Sequence, residues 1–529
     1  MTIRRANAQR LLSKLRDDLG ATITDDQIRG QAEQATDSAR RLVGSPRKVQ
    51  ILRDPVGTGK TAVALTAAKL LFDEKHIQYL LVIAPNDTVA KQWRERAAPF
   101  FNGVLEDVQR ARWRRGRVII GTHRVHPHQK SPNPKQTLVI VDEAHRGLQN
   151  TATNAFGAAS ESAKGAMVLL VTATPYQMTA SGLTNMLTVA GGAGGEETDA
   201  LHDYGKAMAD LLHAWNPTVG ESSVARLVPS VQEHRDRAQQ ALDTHLLLPT
   251  AVSTPRPPRL AFTSVPLGSW ATAYSVARIL PELMGRGKSD AFQRGLASSC
   301  ETVWDSDRAV GNHLTSLRKG LKTDQRRFLD DLEERMGEGT DHPKVAATVN
   351  WTIDQVEQGH HVVIFTHWLT TQNAIGKALE SALEGKADVA APQTGPINRR
   401  LEKRFKQPPN GEPVVLVLSD RFSESIDLDG GLPSLAHHDL TWNPVRLTQR
   451  WGRVVRIRTG FQPIPKNRIF VPLLDVEVER RLARTVAGRQ DLVGAMIPHP
   501  DATDDNGWTL PDEILRKVSL NFNRPTGSR

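Results

Sequence analysis

Five consecutive residues, Gly57-Thr58-Gly59-Lys60-Thr61, have the types and spacing needed to hold a phosphate chain. They lie between an apolar run, VQILRD, and an Ala/Leu-rich stretch that reads as a helix. Backbone N–H groups at such a strand-to-helix turn face phosphate oxygens, and the helix N-terminus adds a positive dipole. Gly57 and Gly59 let the backbone come close without a Cβ in the way; Lys60 can reach the β- and γ-phosphates, and Thr61 can offer its hydroxyl to Mg2+. A second apolar run, TLVIVDE, ends in Asp142 and Glu143. Asp142 suits Mg2+ held through water, and Glu143 suits orienting or deprotonating the water that attacks a γ-phosphate. Charge spreading over the γ-phosphoryl oxygens calls for guanidinium groups from outside this set. Arg453 and Arg456 are three apart in an amphipathic stretch and therefore share a helix face. The cofactors these residues ask for are ATP and Mg2+.

The elements that must position them alternate short apolar runs with longer amphipathic ones. VQILRD, YLLVIAP, RVIIGT, TLVIVDE and AMVLLVTATP read as strands covered on both faces, which implies a parallel sheet with right-handed crossovers. The same alternation returns in HHVVIFTHW, EPVVLVLSD, HHDLTWNP and NRIFVPLL. The expected fold class is therefore α/β: two RecA-like parallel-sheet domains with a mainly helical insertion between them. The boundaries read as an N-terminal helical segment over 1–48, a first domain over 49–176, an insertion over 177–340, a second domain over 341–495 and a tail over 496–529. GGAGGEE and STPRPPR mark joints in the insertion.

With 68 Lys and Arg against 58 Asp and Glu among 529 residues, the formal charge is +10, which favours a polyanionic partner without proving one. Cys300 is the single cysteine, so an internal disulfide framework is excluded and a reducing, cytoplasmic setting is expected, with Cys300 as a small core residue. The start is a basic amphipathic helix too often interrupted by charge to serve as a signal peptide, and no apolar run approaches a bilayer-spanning length, so no membrane partner is expected. The histidines, His360, His361, His437 and His438 among them, show no metal-ligand spacing and read as strand-edge residues.

Beyond the phosphate site, D-E-A-H at 142–145 and T-A-T-P at 172–175 resemble the second and third motifs of superfamily II helicases and translocases. Asp54, where a first loop glycine is more familiar, is similar to the D-x-x-G-x-G-K-T of the Swi/Snf-type branch. VIAPNDTVAKQW, with Gln92 and Trp93, resembles the next motif of that branch; VIIGTH looks like the segment whose threonine, here Thr122, faces a nucleic-acid phosphate. VVIFTHW resembles the fourth motif, and LVLSDRFSESIDL the fifth, with Asp427 where the family contacts ribose or the partner domain and Ser425 where relatives carry glycine. LTWNPVRLTQRWGRVVRIRTG is similar to the sixth motif, placing Gln449, Arg453 and Arg456, and its W-N-P resembles the RapA-like pattern. The resemblance implies a nucleic-acid-dependent ATPase in which His145, Thr172 and Thr174 couple the ATP site to movement. T-A-T-P departs from the branch's usual T-G-T-P, and for the adenine only Gln31 and Gln34 offer themselves.

The segment QRARWRRGR surrounds Trp113 with arginines, including Arg112, Arg114 and Arg115. It reads equally as a phosphate track with a stacking ring or as a solvated basic helix with Trp113 in the core. NRRLEKRFK reads as an amphipathic helix with Leu401 and Phe405 inward. The expected partner is nucleic acid, with duplex DNA favoured over single-stranded DNA or RNA, and a nucleoid-associated location if the source is bacterial or phage. An RNA helicase, a motor subunit of a restriction or defence complex, and an ATP-gated clamp without turnover are the alternatives.

Overall fold

In a computed structural model the described residues are 3–19, 23–44, 49–53, 58–101, 104–105, 113–123, 131–148, 161, 164–172, 180–188, 194–215, 219–245, 260–271, 274–275, 293–304, 323, 326–327, 330, 334, 342–392, 397–420, 428, 430–441, 444–455, 464–495 and 511–520. The chain divides into two compact units, one of residues 1–254, 456–461 and 488–529, the other of 255–455 and 462–487. Each is built on a parallel sheet, as the α/β reading expects.

In the first unit the strands are β1 (Val49–Arg53), β2 (Tyr79–Ala84), β3 (Val104–Leu105), β4 (Val118–Thr122), β5 (Thr137–Asp142) and β6 (Met167–Thr172), ordered β1-β6-β5-β2-β4-β3. Their apolar runs are buried on both faces because helices cover both. One face takes Leu52, Leu80, Val82 and Ile120 against α1 (Arg5–Leu19), α2 (Asp25–Gly44), α3 (Lys60–Asp73) and α4 (Asp87–Ala97). The other takes Val49, Ile51, Leu81, Ile83 and Val141. After β5 comes the short α5 (Ala144–Gly147). The cover of this second face comes from α6 (Ala180–Thr188), α7 (Gly195–Ala214) and α8 (Val228–Asp243), with Met186, Tyr204, Met208 and Leu242 turned inward. Thus the first part of the segment read as an insertion completes the layer over the first sheet, and the rest of that segment, 255–340, belongs to the second unit. The helix expected near the C-terminus, α14 (Asp512–Val518), adds Ile514 and Val518 to the same layer. Edge strand β1 is shielded, since Ile51 N–H donates to the His245 carbonyl at 2.8 Å.

In the second unit β7 (Thr263–Val265) pairs with β13 (Pro472–Leu474), while the main sheet runs β12-β11-β8-β10-β9. Its strands are β8 (Val362–Thr366), β9 (Asp388–Ala390), β10 (Val414–Ser419), β11 (Ser434–His437) and β12 (Ile469–Phe470). The helices are α9 (Pro343–Glu357), α10 (Leu369–Ala382), α11 (Arg399–Phe405), α12 (Pro444–Val454) and α13 (Glu477–Ala495), the last belonging to this unit as far as residue 487. Two sequence expectations shift here. The strand read in HHDLTWNP lies earlier and ends at His437, and NRIFVPLL is split at Val471 between two sheets. His361, His437 and His438 are buried rather than at strand edges, because β8 and β11, which they adjoin, lie inside the sheet; His361 stacks on Phe405 and His437 on Phe365. His438 accepts or donates to Thr348 Oγ1 at 2.8 Å and the Ser298 carbonyl lies 3.0 Å from its Nε2.

Candidate functional site

Because β1, β2, β4, β5 and β6 are parallel, their carboxyl ends share one edge, and register aligns them: Arg53 pairs Thr172, Asp142 pairs Val171 and Ala84 pairs Thr122. This edge carries Thr122, Asp142, Glu143 and Thr172, with Lys60 and Thr61 on the helix that follows β1, whereas Arg114 and Arg115 precede β4 at the opposite end of that strand. Gly59 caps α3 at φ 90°, a left-handed conformation that suits glycine, and its carbonyl receives Ala62 N–H at 2.8 Å. Lys60 and Thr61 open α3, both half-buried, and Thr58 is buried before them. Gln31, from α2, donates its Nε2 to the Thr58 carbonyl at 2.7 Å. A Cβ added at Gly59 would lie 2.6 Å from that nitrogen. Gln31 therefore touches the phosphate loop itself, a placement that spacing alone did not reveal.

Asp142 ends β5 and is 8% exposed. Its Oδ2 accepts the Trp93 indole N–H at 2.7 Å and its Oδ1 accepts Glu143 N–H at 2.9 Å. Burial and the neighbouring Glu143 push its carboxyl up to about 6, against the Trp93 bond and the Lys60 ammonium. Glu143 sits at φ 46° and caps α5, so the chain turns sharply between the two acids. Buried His145 faces back, its Nδ1 3.3 Å from Glu143 Oε2 and 2.8 Å from Thr172 Oγ1. His145 thus joins the ends of β5 and β6.

The donors at this edge fit a hard dication. Asp142 and the Thr61 hydroxyl offer oxygen donors of the kind such a cation takes, and phosphate oxygens and waters would have to complete the shell. Among the described residues no group of three or more His, Cys, Asp or Glu could hold a metal by itself.

Thr122, buried, ends β4, and Gln92 is half-buried on α4. Arg114 and Arg115 are exposed in a turn closed by Gly116, not on a helix, and Trp113 packs edge-on against Tyr79 with centroids 6.0 Å apart. Arg112, Gly57, Asp54, Thr174, Ser425, Asp427 and Arg456 lie outside the described residues.

In the second unit α12 carries Gln449, buried, and Arg453, half-buried, whose carbonyl accepts Leu428 N–H at 2.8 Å. Between them Arg450 is fully buried. It bonds Asp420 at the end of β10 and donates to the Asp439 carbonyl at 2.9 Å. Arg446 and His367 also reach Asp420, each 2.9 Å from Oδ2. Asp439 in turn accepts Thr366 Oγ1 at 2.6 Å, His367 N–H at 2.9 Å and Ser298 Oγ at 2.9 Å. Sequence reading passed over Asp420, Arg450 and Asp439. A buried arginine inside a motif reads the same as a solvated one until its partner is known.

Residues 26–177 match the family model described as Type III restriction enzyme, res subunit, and residues 343–458 match the helicase conserved C-terminal domain. An uncharacterized ATP-dependent helicase of Bacillus subtilis (strain 168), YqhH, is 23% identical over 441 residues, spanning 79% of this chain and 72% of that protein. The Sulfolobus solfataricus SWI2/SNF2 ATPase core in complex with dsDNA is 16% identical, covering 93% of this chain and 96% of its own at a TM-score of 0.34. The Pyrococcus furiosus Hef helicase domain is 17% identical, covering 88% and 98% at a TM-score of 0.40. Among the described residues no helix is long and apolar enough to cross a membrane. With both helicase segments in order, and the phosphate loop, the acidic pair and the arginine helix within them, the chain belongs to the superfamily II helicases and is an ATP-hydrolysing enzyme.

Proposed function

We propose that this enzyme is a Swi/Snf-type motor that couples ATP hydrolysis to movement along double-stranded DNA. The observation that carries the motor reading is buried His145, hydrogen-bonded to Thr172 at the end of β6 and within ion-pair distance of Glu143, the acid assigned to the attacking water. Preference for duplex DNA rests on the Asp54-initiated loop and the W-N-P before α12, both similar to that branch.

Lys60 and the loop N–H groups bind the phosphates, with Gly57, Thr58 and Gly59 shaping the loop. Mg2+ would be held by Thr61 and Asp142 and would neutralise charge on the β- and γ-phosphates. Glu143 orients the attacking water and takes its proton. Gln449, Arg453 and Arg456 serve the same reaction from the second matched segment, the guanidinium groups stabilising charge that develops on the γ-phosphoryl oxygens. Asp427 contacts the nucleotide's ribose, and Thr174 acts with His145 and Thr172 in coupling. Gln92, Thr122, Arg112, Arg114 and Arg115 hold the polymer through its phosphates, so recognition is largely independent of sequence.

Steady-state ATP hydrolysis with duplex DNA, single-stranded DNA or structured RNA, beside Lys60→Ala, tests the proposal. Strong stimulation by duplex DNA, lost in the variant, supports it; stimulation chiefly by RNA replaces it with an RNA helicase, and a Glu143→Gln variant with unaltered DNA function would point to a clamp. The family match over 26–177 favours one second reading, a motor subunit of a restriction-type complex. Co-purification with a methylase or a nuclease would support that reading.

A further inference from the structure

Asp142 is held from three directions. The Trp93 indole N–H reaches Oδ2 at 2.7 Å, Glu143 N–H reaches Oδ1 at 2.9 Å, and His123 Nε2 lies 3.0 Å from the Asp142 backbone carbonyl. The Trp93 bond is sheltered: Trp93 is 1% exposed, and water competes poorly for either partner. A carboxylate has about four acceptor directions. One donor on each oxygen fixes the carboxyl plane and still leaves a direction on each for metal or metal-bound water.

A buried indole needs an acceptor, but any backbone carbonyl would serve. Here the acceptor is the acid assigned to Mg2+. The helix that delivers it, α4, starts at a fixed point, since Asn86 Oδ1 caps it by accepting Val89 N–H at 2.9 Å. Gln92, proposed to hold the polymer, immediately precedes Trp93, and Thr122 immediately precedes His123. Both elements offered to the polymer therefore bond Asp142 through their next residue.

We infer that Trp93 is a positioning residue of the ATP site, orienting Asp142 toward Mg2+ through its indole N–H and passing a shift of α4 on polymer binding to that carboxylate. This rests on the motor reading of the same site. Groups that orient a metal ligand in this way are commonly worth ten- to a hundredfold in metal affinity or activity.

Trp93→Phe removes the donor and keeps most of the apolar ring. Binding of a fluorescent N-methylanthraniloyl ATP is measured first in EDTA and then across a MgCl2 titration. The expected result is unchanged affinity in EDTA with the Mg2+ needed for half-maximal enhancement raised about tenfold; a titration that overlays the parent's overturns the inference. In the same variant, duplex DNA should still bind without nucleotide but no longer stimulate turnover, and retained stimulation would overturn the relay. Should Trp93→Phe fail to fold, Trp93→Leu, which also lacks the donor, is titrated in the same way; the same rise in Mg2+ requirement is expected, and an overlay with the parent overturns the inference. If the parent enzyme is stimulated by no polymer, the motor reading fails, while the Mg2+ titration still judges the role of Trp93.

Discussion

Arg450 and Asp420 form an ion pair that locks α12 to the end of β10: the Arg450 Nε–Asp420 Oδ1 distance is 3.1 Å and the guanidinium is fully buried. Although burial opposes it, the Arg450 charge with His367 holds the Asp420 carboxyl well below the usual carboxylate range. Removing one partner strands the other charge in a low-dielectric setting. Asp420→Ala is expected to destabilise the second unit by about 3–5 kcal/mol, read as a lower urea midpoint. A loss under about 1 kcal/mol would mean that the pair is solvated.

Thr172→Val keeps the shape of a β-branched side chain and deletes the hydroxyl that His145 meets at 2.8 Å. Nucleotide binding should persist, since neither atom belongs to the phosphate loop. Polymer-stimulated turnover should fall about tenfold, the effect of about 1.4 kcal/mol on a barrier. Parental stimulation in this variant would remove His145 and Thr172 from the coupling path.

Gln31 braces the phosphate loop through the Thr58 carbonyl. Loss of that bond in Gln31→Ala is worth about 1 kcal/mol, a rise of about fivefold in the ATP dissociation constant measured by fluorescence titration. Gly59→Ala is expected to be worse. Its Cβ would press on Gln31 Nε2 at 2.6 Å, and its φ of 90° strains any L side chain. Equal affinity in Gly59→Ala and the parent would contradict this geometry.

His342, His437 and His438 are buried in the second unit. Burial pushes His342 and His437 down to about 3 and His438 down to about 4; the nearby Arg450 charge also lowers His437, whereas Asp439 opposes the shift at His438. Unfolded histidine titrates near 6.5, so below that pH the unfolded chain takes up protons that the folded chain refuses. Stability from these groups is therefore complete above about pH 6.5 and is lost as pH falls toward about 4, by up to about 4 kcal/mol per pH unit if all three contribute. Melting temperatures recorded from pH 8 to about pH 4.5 should be flat at first and then fall; a flat profile throughout would place these rings in water.

Strands β1, β2, β4, β5, β6, β8 and β10 were legible because unbroken apolar runs mark strands buried on both faces. Strands β3, β7 and β9, two or three residues each, carry too short a pattern to stand out. The helices over 180–243 read as an insertion because their amphipathic period reports that one face is buried, not what buries it. The first sheet supplied the answer, since its second face needed a cover.

What the sequence determined by itself were groups whose placement is local: Thr58, Gly59, Lys60 and Thr61 at the start of α3, and the adjacent acids Asp142 and Glu143 at the end of β5. Their spacing along the backbone is their geometry. Tertiary structure alone decided the contacts between elements: Gln31 on Thr58, Trp93 on Asp142, His145 on Thr172 and Arg450 on Asp420, separated by 27, 49, 27 and 30 residues respectively. Periodicity tells which face of an element is covered, whereas a side chain's partner depends on strand order and on which helix crosses above it.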